Sequence, residues 1–147
     1  MLVKETMSRD VKTVAPETTI CEAARIMADA DVGALPVAAG DRLAGMVTDR
    51  DIAIRAVAIG KGPETPVSEV MTPEVLYCHE DEDIGHVCTN MAEMQVRRLP
   101  VVDVDKRLVG IVSLADIADA RAREAGVALE GITQPGGLHN QAINGRA

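Results

Sequence analysis

The stretch GMVTDRDI at residues 45–52 returns as GIVSLADI at residues 110–117. In both, a short apolar run ends on a hydroxyl residue, Thr48 or Ser113, and an acid follows three positions later, Asp51 or Asp116. The runs Leu43 to Val47 and Leu108 to Val112 read as buried strands. A Ser or Thr followed three residues on by an acid is a helix-start pattern, so each strand is expected to lead straight into a helix. Outward from this pair the similarity continues. On a shift of 64, Val3–Val37 matches Val67–Val101 at eleven of 35 positions, among them Met7, Val11, Ile20, Met27 and Leu35-Pro36-Val37. One extra residue in the second VDVDK loop moves the shift to 65, and seven of 17 positions then match from Arg42 to Ala58. Duplication is the simplest explanation, and it has to be settled before any local structure is read.

Each copy spells the same series of elements. Val11 to Val14 and Val75 to Cys78 are strand candidates bounded by Pro or acids. Ile20, Ala23, Ala24 and Met27 then fall on one helical face, and Ile84, Val87, Cys88 and Met91 repeat the spacing. Thr19 with Glu22 suits the start of the first of these helices. Leu35-Pro36-Val37-Ala38 and Leu99-Pro100-Val101-Val102 follow as strands, with the proline implying an edge or strand-start position because it has no N–H to donate. The unit is β-α-β-β-α and the class α+β. About 55 residues bury little apolar surface alone, so two copies are expected to pack face to face about a pseudo-two-fold axis, leaving a cleft. The expected boundaries are residues 1–59 for the first copy, 60–66 for a Gly- and Pro-punctuated linker, and 67–125 for the second. Pro66 suits the first turn of a short helix through Met71. From Gly126 the periodicity is lost, and residues 126–147 are expected to be a flexible tail.

Composition narrows the function. The chain has 147 residues with 15 Lys and Arg against 23 Asp and Glu, a net charge of −8 that argues against a broad nucleic-acid or anionic-lipid surface. There is no Phe or Trp and one tyrosine, Tyr77, so the core is aliphatic and no aromatic platform is available for stacking bases. The N-terminus turns charged after Val3, and Arg55 interrupts the most apolar run, Ile52 to Ile59; a soluble, cytoplasmic protein is expected. Cys21, Cys78 and Cys88 are an odd number without framework spacing, which fits a reducing compartment.

The doubled M[ST]…V, the doubled Leu-Pro-Val and the doubled G-h-V-[ST]-x-x-D-I resemble the tandem CBS (cystathionine beta-synthase) motifs of a Bateman module, over roughly residues 3 to 123. With no catalytic domain beside the pair, the chain is similar to short stand-alone CBS proteins. The resemblance implies an adenosine-containing ligand, AMP, ADP, ATP or S-adenosylmethionine, as a regulatory ligand rather than a required cofactor. It implies a ribose anchor in Asp51 or Asp116, phosphate near Thr48 or Ser113, and an apolar slot for adenine. The first site so implied comprises Thr13, Val32, Ala34, Leu35, Pro36, Thr48 and Asp51. The second comprises Tyr77, Val96, Arg98, Leu99, Pro100, Ser113 and Asp116. Tyr77 stands where Thr13 offers a small hydroxyl, and its ring either stacks on a base or fills the slot. A homodimer is expected by the same resemblance.

Other readings of these residues stand beside that one. Thr48/Asp51 and Ser113/Asp116 are accounted for by helix capping alone, which is worth about 1 kcal/mol per helix, although a capped helix start can also face a phosphate or a ribose diol. An acidic protein needs local cations to hold an adenylate: Arg50 lies in the first signature and Arg97-Arg98 precede the second Leu-Pro-Val, and with opposed clefts the pair of one copy would reach phosphate held by the other. Cys78, His79, His86 and Cys88 are zinc-ligand types without zinc-site spacing, and Cys88 sits on an apolar helix stripe, so no metal site is expected. No catalytic motif is present, and an enzyme is not expected. The competing function is an interaction platform with degenerate nucleotide sites, in which Met27, Met91 and Met94 contribute to an association face.

Overall fold

The computed structural model describes residues 1–135, which form two compact units. The first unit is Asp10–Leu76 with Asp105–Leu108; the second is Met1–Arg9, Tyr77–Val104 and the chain from Val109 onward. These packing units are out of phase with the repeat boundaries at residues 59 and 67, and the cause is visible in the cores. Val3 and Met7, from the start of the first copy, lie in the second unit's core with Ile84, Val101 and Val112. Val67, the counterpart of Val3, lies with Val70 in the first unit's core beside Ile20, Val37 and Val47, and Met71, the counterpart of Met7, packs against it. Backbone pairing holds both segments in the same way. Val3 and Lys4 donate to the carbonyls of Glu82 and Glu80 at 2.9 and 3.0 Å, and Val67 and Ser68 donate to Thr18 and Pro16 at 2.7 and 2.9 Å. Each segment winds into a 3-10 turn, Val3–Glu5 and Val67–Glu69, with Pro66 at the cap of the second rather than inside a longer helix.

In the first unit, α1 (Ile20–Ala30) leads to β1 (Ala34–Ala39), β2 (Arg42–Thr48) and α2 (Asp49–Arg55). In the second unit β3 (Cys78–His79), α3 (Ile84–Met94), β4 (Arg98–Val102), β5 (Leu108–Ser113) and α4 (Leu114–Ala120) repeat the order, and α5 (Ala122–Ile132) is added. β1 pairs antiparallel with β2, Leu35 opposite Val47, with a register shift between Val37 and Ala38. β3 runs parallel to β4, and the sheet order is β3-β4-β5. α1 starts on Thr19, whose hydroxyl accepts the Glu22 N–H at 3.2 Å, and buries Ile20, Ala23 and Met27 but leaves Ala24 exposed. α3 buries all four expected positions, Ile84, Val87, Cys88 and Met91. Both helices end in a left-handed residue, Asp31 and Gln95.

The first strand of each copy is shorter than its sequence suggests, for a reason proline supplies. Val14 makes a single parallel bridge to Val37, donating to Pro36 O at 3.1 Å and accepting from Ala38 N–H at 2.9 Å. Pro36 has no N–H to carry that ladder backward and Pro16 none to carry it forward. In the second copy Glu80 stands at the Pro16 position and does donate, to Val102 O at 3.0 Å, so a true two-residue β3 forms. β2 and β5 alternate between buried and half-buried positions instead of being buried throughout.

The linker is not a loose connection, since Thr65 O and Pro63 O accept the first two N–H groups of α1, from Ile20 at 2.8 Å and Cys21 at 3.2 Å. The expected tail is corrected up to residue 132. Ala125 and Ala128 are buried, α5 packs on α3 so closely that a side chain at Gly131 would overlap Ala92, and Gln95 Nε2 donates to Gly131 O at 3.2 Å and Gln134 O at 3.1 Å. Residues 136–147 lie outside the described residues.

The glycine of each signature has a shared steric cause. A Cβ on Gly45 would lie 2.6 Å from Thr72 O, and one on Gly110 would lie 2.7 Å from Ser8 O, because those segments bridge to Met46 and Ile111. Gly45→Ala and Gly110→Ala are each expected to lower stability by about 1–3 kcal/mol, read as a fall in the urea midpoint.

Candidate functional site

β2 and β5 each pass into a helix with no intervening loop, and the helix start is closed reciprocally. Asp51 N–H donates to Thr48 Oγ1 and Thr48 N–H to Asp51 Oδ2, both at 3.0 Å. Asp116 N–H donates to Ser113 Oγ and Ser113 N–H to Asp116 Oδ2, both at 3.1 Å. The capping role of all four residues is therefore realised in full. What each acid has left is its other oxygen. Asp51 Oδ1 faces Arg55 Nε at 3.7 Å, with the Asp51 side chain 13% exposed. The residue matching Arg55 is Ala120, and Asp116 Oδ1 has no hydrogen bond or ion pair among the described residues.

In the first unit Thr48 and Asp51 are half-buried, as are Val32 and Ala34, and Arg50 is exposed. Thr13 is exposed one residue before the Val14 bridge. Leu35 is in the hydrophobic core and Pro36 is buried beside it. In the second unit Leu99 and Pro100 are likewise interior. Tyr77 is 40% exposed and outside the hydrophobic core, its ring set edge-on to His79 with centroids 5.8 Å apart.

The structure brings Arg97, Arg98 and Ser113 together at a cavity of about 650 Å³ wholly within the second unit. That volume suits a small-molecule site. Its other walls are Leu114, Ala115 and Ala118 of α4 with Ala122, Ala125, Gly126 and Leu129 of α5. Tyr77, Val96, Leu99, Pro100 and Asp116 do not line it. The α5 wall escaped the sequence reading because α5 has no counterpart in the first copy. Its signal was present in the i, i+3, i+7 spacing of Ala122, Ala125 and Leu129.

Among the described residues no group of three or more His, Cys, Asp or Glu is placed to hold a metal ion, and no helix is long and apolar enough to cross a membrane. Cys78 and Cys88 are core residues. Burial, reinforced by Glu82, pushes the Cys78 thiol up to about 12; burial with Glu124 and Asp83 pushes Cys88 to about 11. Cys21 is partly exposed.

The CBS domain family model matches residues 3–57 and 67–123. The CBS domain-containing protein YhcV of Bacillus subtilis is 48% identical over 116 residues, covering 79% of this chain and 82% of that protein. Hypoxic response protein 1 of Mycobacterium tuberculosis is 41% identical over 117 residues, 78% of this chain and 81% of that protein. A crystal structure of Hypoxic Response Protein I, with two coordinated zinc ions, aligns at a TM-score of 0.74 over 81% of this chain and 98% of that one. The CBS domain pair of protein MJ0100, solved with 5-methylthioadenosine and S-adenosyl-L-methionine, is 34% identical at a TM-score of 0.71, over 84% and 98% of the two chains.

Because the two buried thiols keep their protons in the folded state, a thiol reagent at pH 8 is expected to label Cys21 alone until denaturant is added. The same shift sets a sign for stability. The unfolded chain releases these protons above about pH 9 while the folded chain holds them, so stability falls as pH rises from there toward 11.

Proposed function

The chain belongs to the CBS domain family as a tandem pair, and on that premise we propose that it is a regulatory module binding an adenosine-containing ligand and passing its occupancy to an oligomer or partner protein. The observation that supports this most is the half-buried Asp116, held in place through Oδ2 with Oδ1 uncommitted, in a chain 34% identical to a pair that holds adenosyl compounds. A carboxylate fixed in this way can accept hydrogen bonds from a ribose diol without further reorganisation. Asp51 is the matching anchor of the first copy, with Arg55 as a competitor for its second oxygen. The ligand acts by population shift, changing the balance of arrangements only to the extent that it binds one better, with couplings of about 1–3 kcal/mol.

A second reading, association as the main role, is favoured by one specific feature. Ile54, Val57 and Ile59 are exposed in the first unit, and Val57 lines an apolar groove of about 420 Å³ with Ile20, Ala24, Ala28 and Pro63. We take this face to serve a homodimer, whichever ligand is bound.

Titration calorimetry with AMP, ADP, ATP and S-adenosylmethionine is expected to show binding to the parent chain that is lost in Asp116→Ala, Asp51→Ala or both, thereby locating the working site. Absence of binding by a well-folded parent would put the association role first. Light scattering is expected to give twice the 15.5 kDa chain mass, and a mass of one chain across working concentrations would reject the dimer.

A further inference from the structure

The two copies treat one helix face differently. In the second unit the side of α3 that carries Cys88 and Ala92 is covered by α5: Cys88 is 1% exposed in a core shared with Ala125 and Ala128, and a side chain at Gly131 would overlap Ala92. Ala24 and Ala28 hold the same positions on α1, and both are exposed. After α2 the first copy has only the 3-10 turn Val57–Ile59 before its linker, and no helix there corresponds to α5. The uncovered face is the 420 Å³ groove, formed by Cys21, Ala24 and Ala28 with Val57 and Pro63, and Val57 is 67% exposed. The fold thus shapes this helix face for packing and leaves it open in one copy.

Charge identifies the cover. Arg25 lines the groove, and Asp29 stands one turn further along the same side of α1. Both are exposed, and neither has an ion pair among the described residues. We propose that the cover is the same face of a second copy, so that the first units of two chains meet through α1 with the two helices antiparallel. Setting Ala24 against Ala28 of the second copy leaves Arg25 about 3 Å along the axis from Asp29 of the second copy, at 1.5 Å rise per residue. A guanidinium spans that offset, and the two-fold axis repeats the pair. Parallel helices would instead set Arg25 against its own symmetry mate. Alanine at both contact positions lets the axes approach to about 8 Å. The second units cannot pair in this way, because α5 already occupies the corresponding face. The inference rests on the homodimer reading above and adds which faces meet and in which direction.

The test is sedimentation and light scattering of the full chain across concentration, for the parent, Arg25→Asp, Asp29→Arg and the double variant Arg25→Asp/Asp29→Arg. Each single reversal sets like charges together twice and is expected to weaken the dimer by about tenfold, while the double reversal restores it to within about threefold. Mixed in equal amounts, the two single variants are expected to recover the two-chain mass, because each supplies the charge that the other lacks. Both positions are exposed, so melting followed by circular dichroism should match the parent in every variant. A parent dimer that neither reversal weakens overturns the α1 arrangement alone. So does a double variant, or a mixture, that stays as weak as the single variants. A parent of one-chain mass overturns the homodimer reading and this arrangement with it.

Discussion

Everything in this molecule depends on the exchange of two short leading segments. Val3 and Val67 have no exposed surface, and each lies in a core made by residues of the opposite repeat. Complete burial of a valine is worth about 1.5–3 kcal/mol, and Met7 and Val70 add to it on either side. The backbone of the exchanged segments also matters. Ser8 and Thr72 bridge to Ile111 and Met46, and that close approach is what forbids any side chain at Gly110 and Gly45. The signature glycines, two residues ahead of the strand's last valine, thus let the exchanged segments lie directly against β2 and β5 just before Thr48 and Ser113 begin their helices.

Those helix starts carry two demands at once. The hydroxyl and one carboxylate oxygen are consumed in satisfying backbone N–H groups, which leaves the second oxygen as the part open to other chemistry. The duplicated caps are nearly identical in length, so the difference between copies lies in what surrounds them: Arg55 beside Asp51, and no cation in the equivalent place beside Asp116. A duplicated fold here keeps its scaffold constant and varies charge at its edges, and that is where specificity between related ligands is cheapest to alter without disturbing a core.

The sequence made much of this legible. The repeat, the α1 and α3 stripes, the Leu-Pro-Val strands and the strand-to-helix junctions all follow from spacing, because burial on one helical face leaves a periodic trace. Three features were not legible for identifiable reasons. The length of the first strand turns on Pro16 against Glu80, a single backbone donor whose partner is more than twenty residues away. α5 has no counterpart in the first copy, and its apolar face is built mainly from small residues such as Ala122, Ala125 and Ala128, so the repeat did not announce it. Leu35 and Leu99 sit within the family motif yet point into the cores, since position along a strand does not reveal which face a ligand would meet.

The exchange of leading segments also speaks to ancestry. Cutting the chain anywhere in residues 60–66 separates each half from the valine that completes its interior. A lone repeat folded on its own first segment would have to fill that space by a different chain path. Duplication of such a unit therefore demands that the first turn of each copy reach the core of the other.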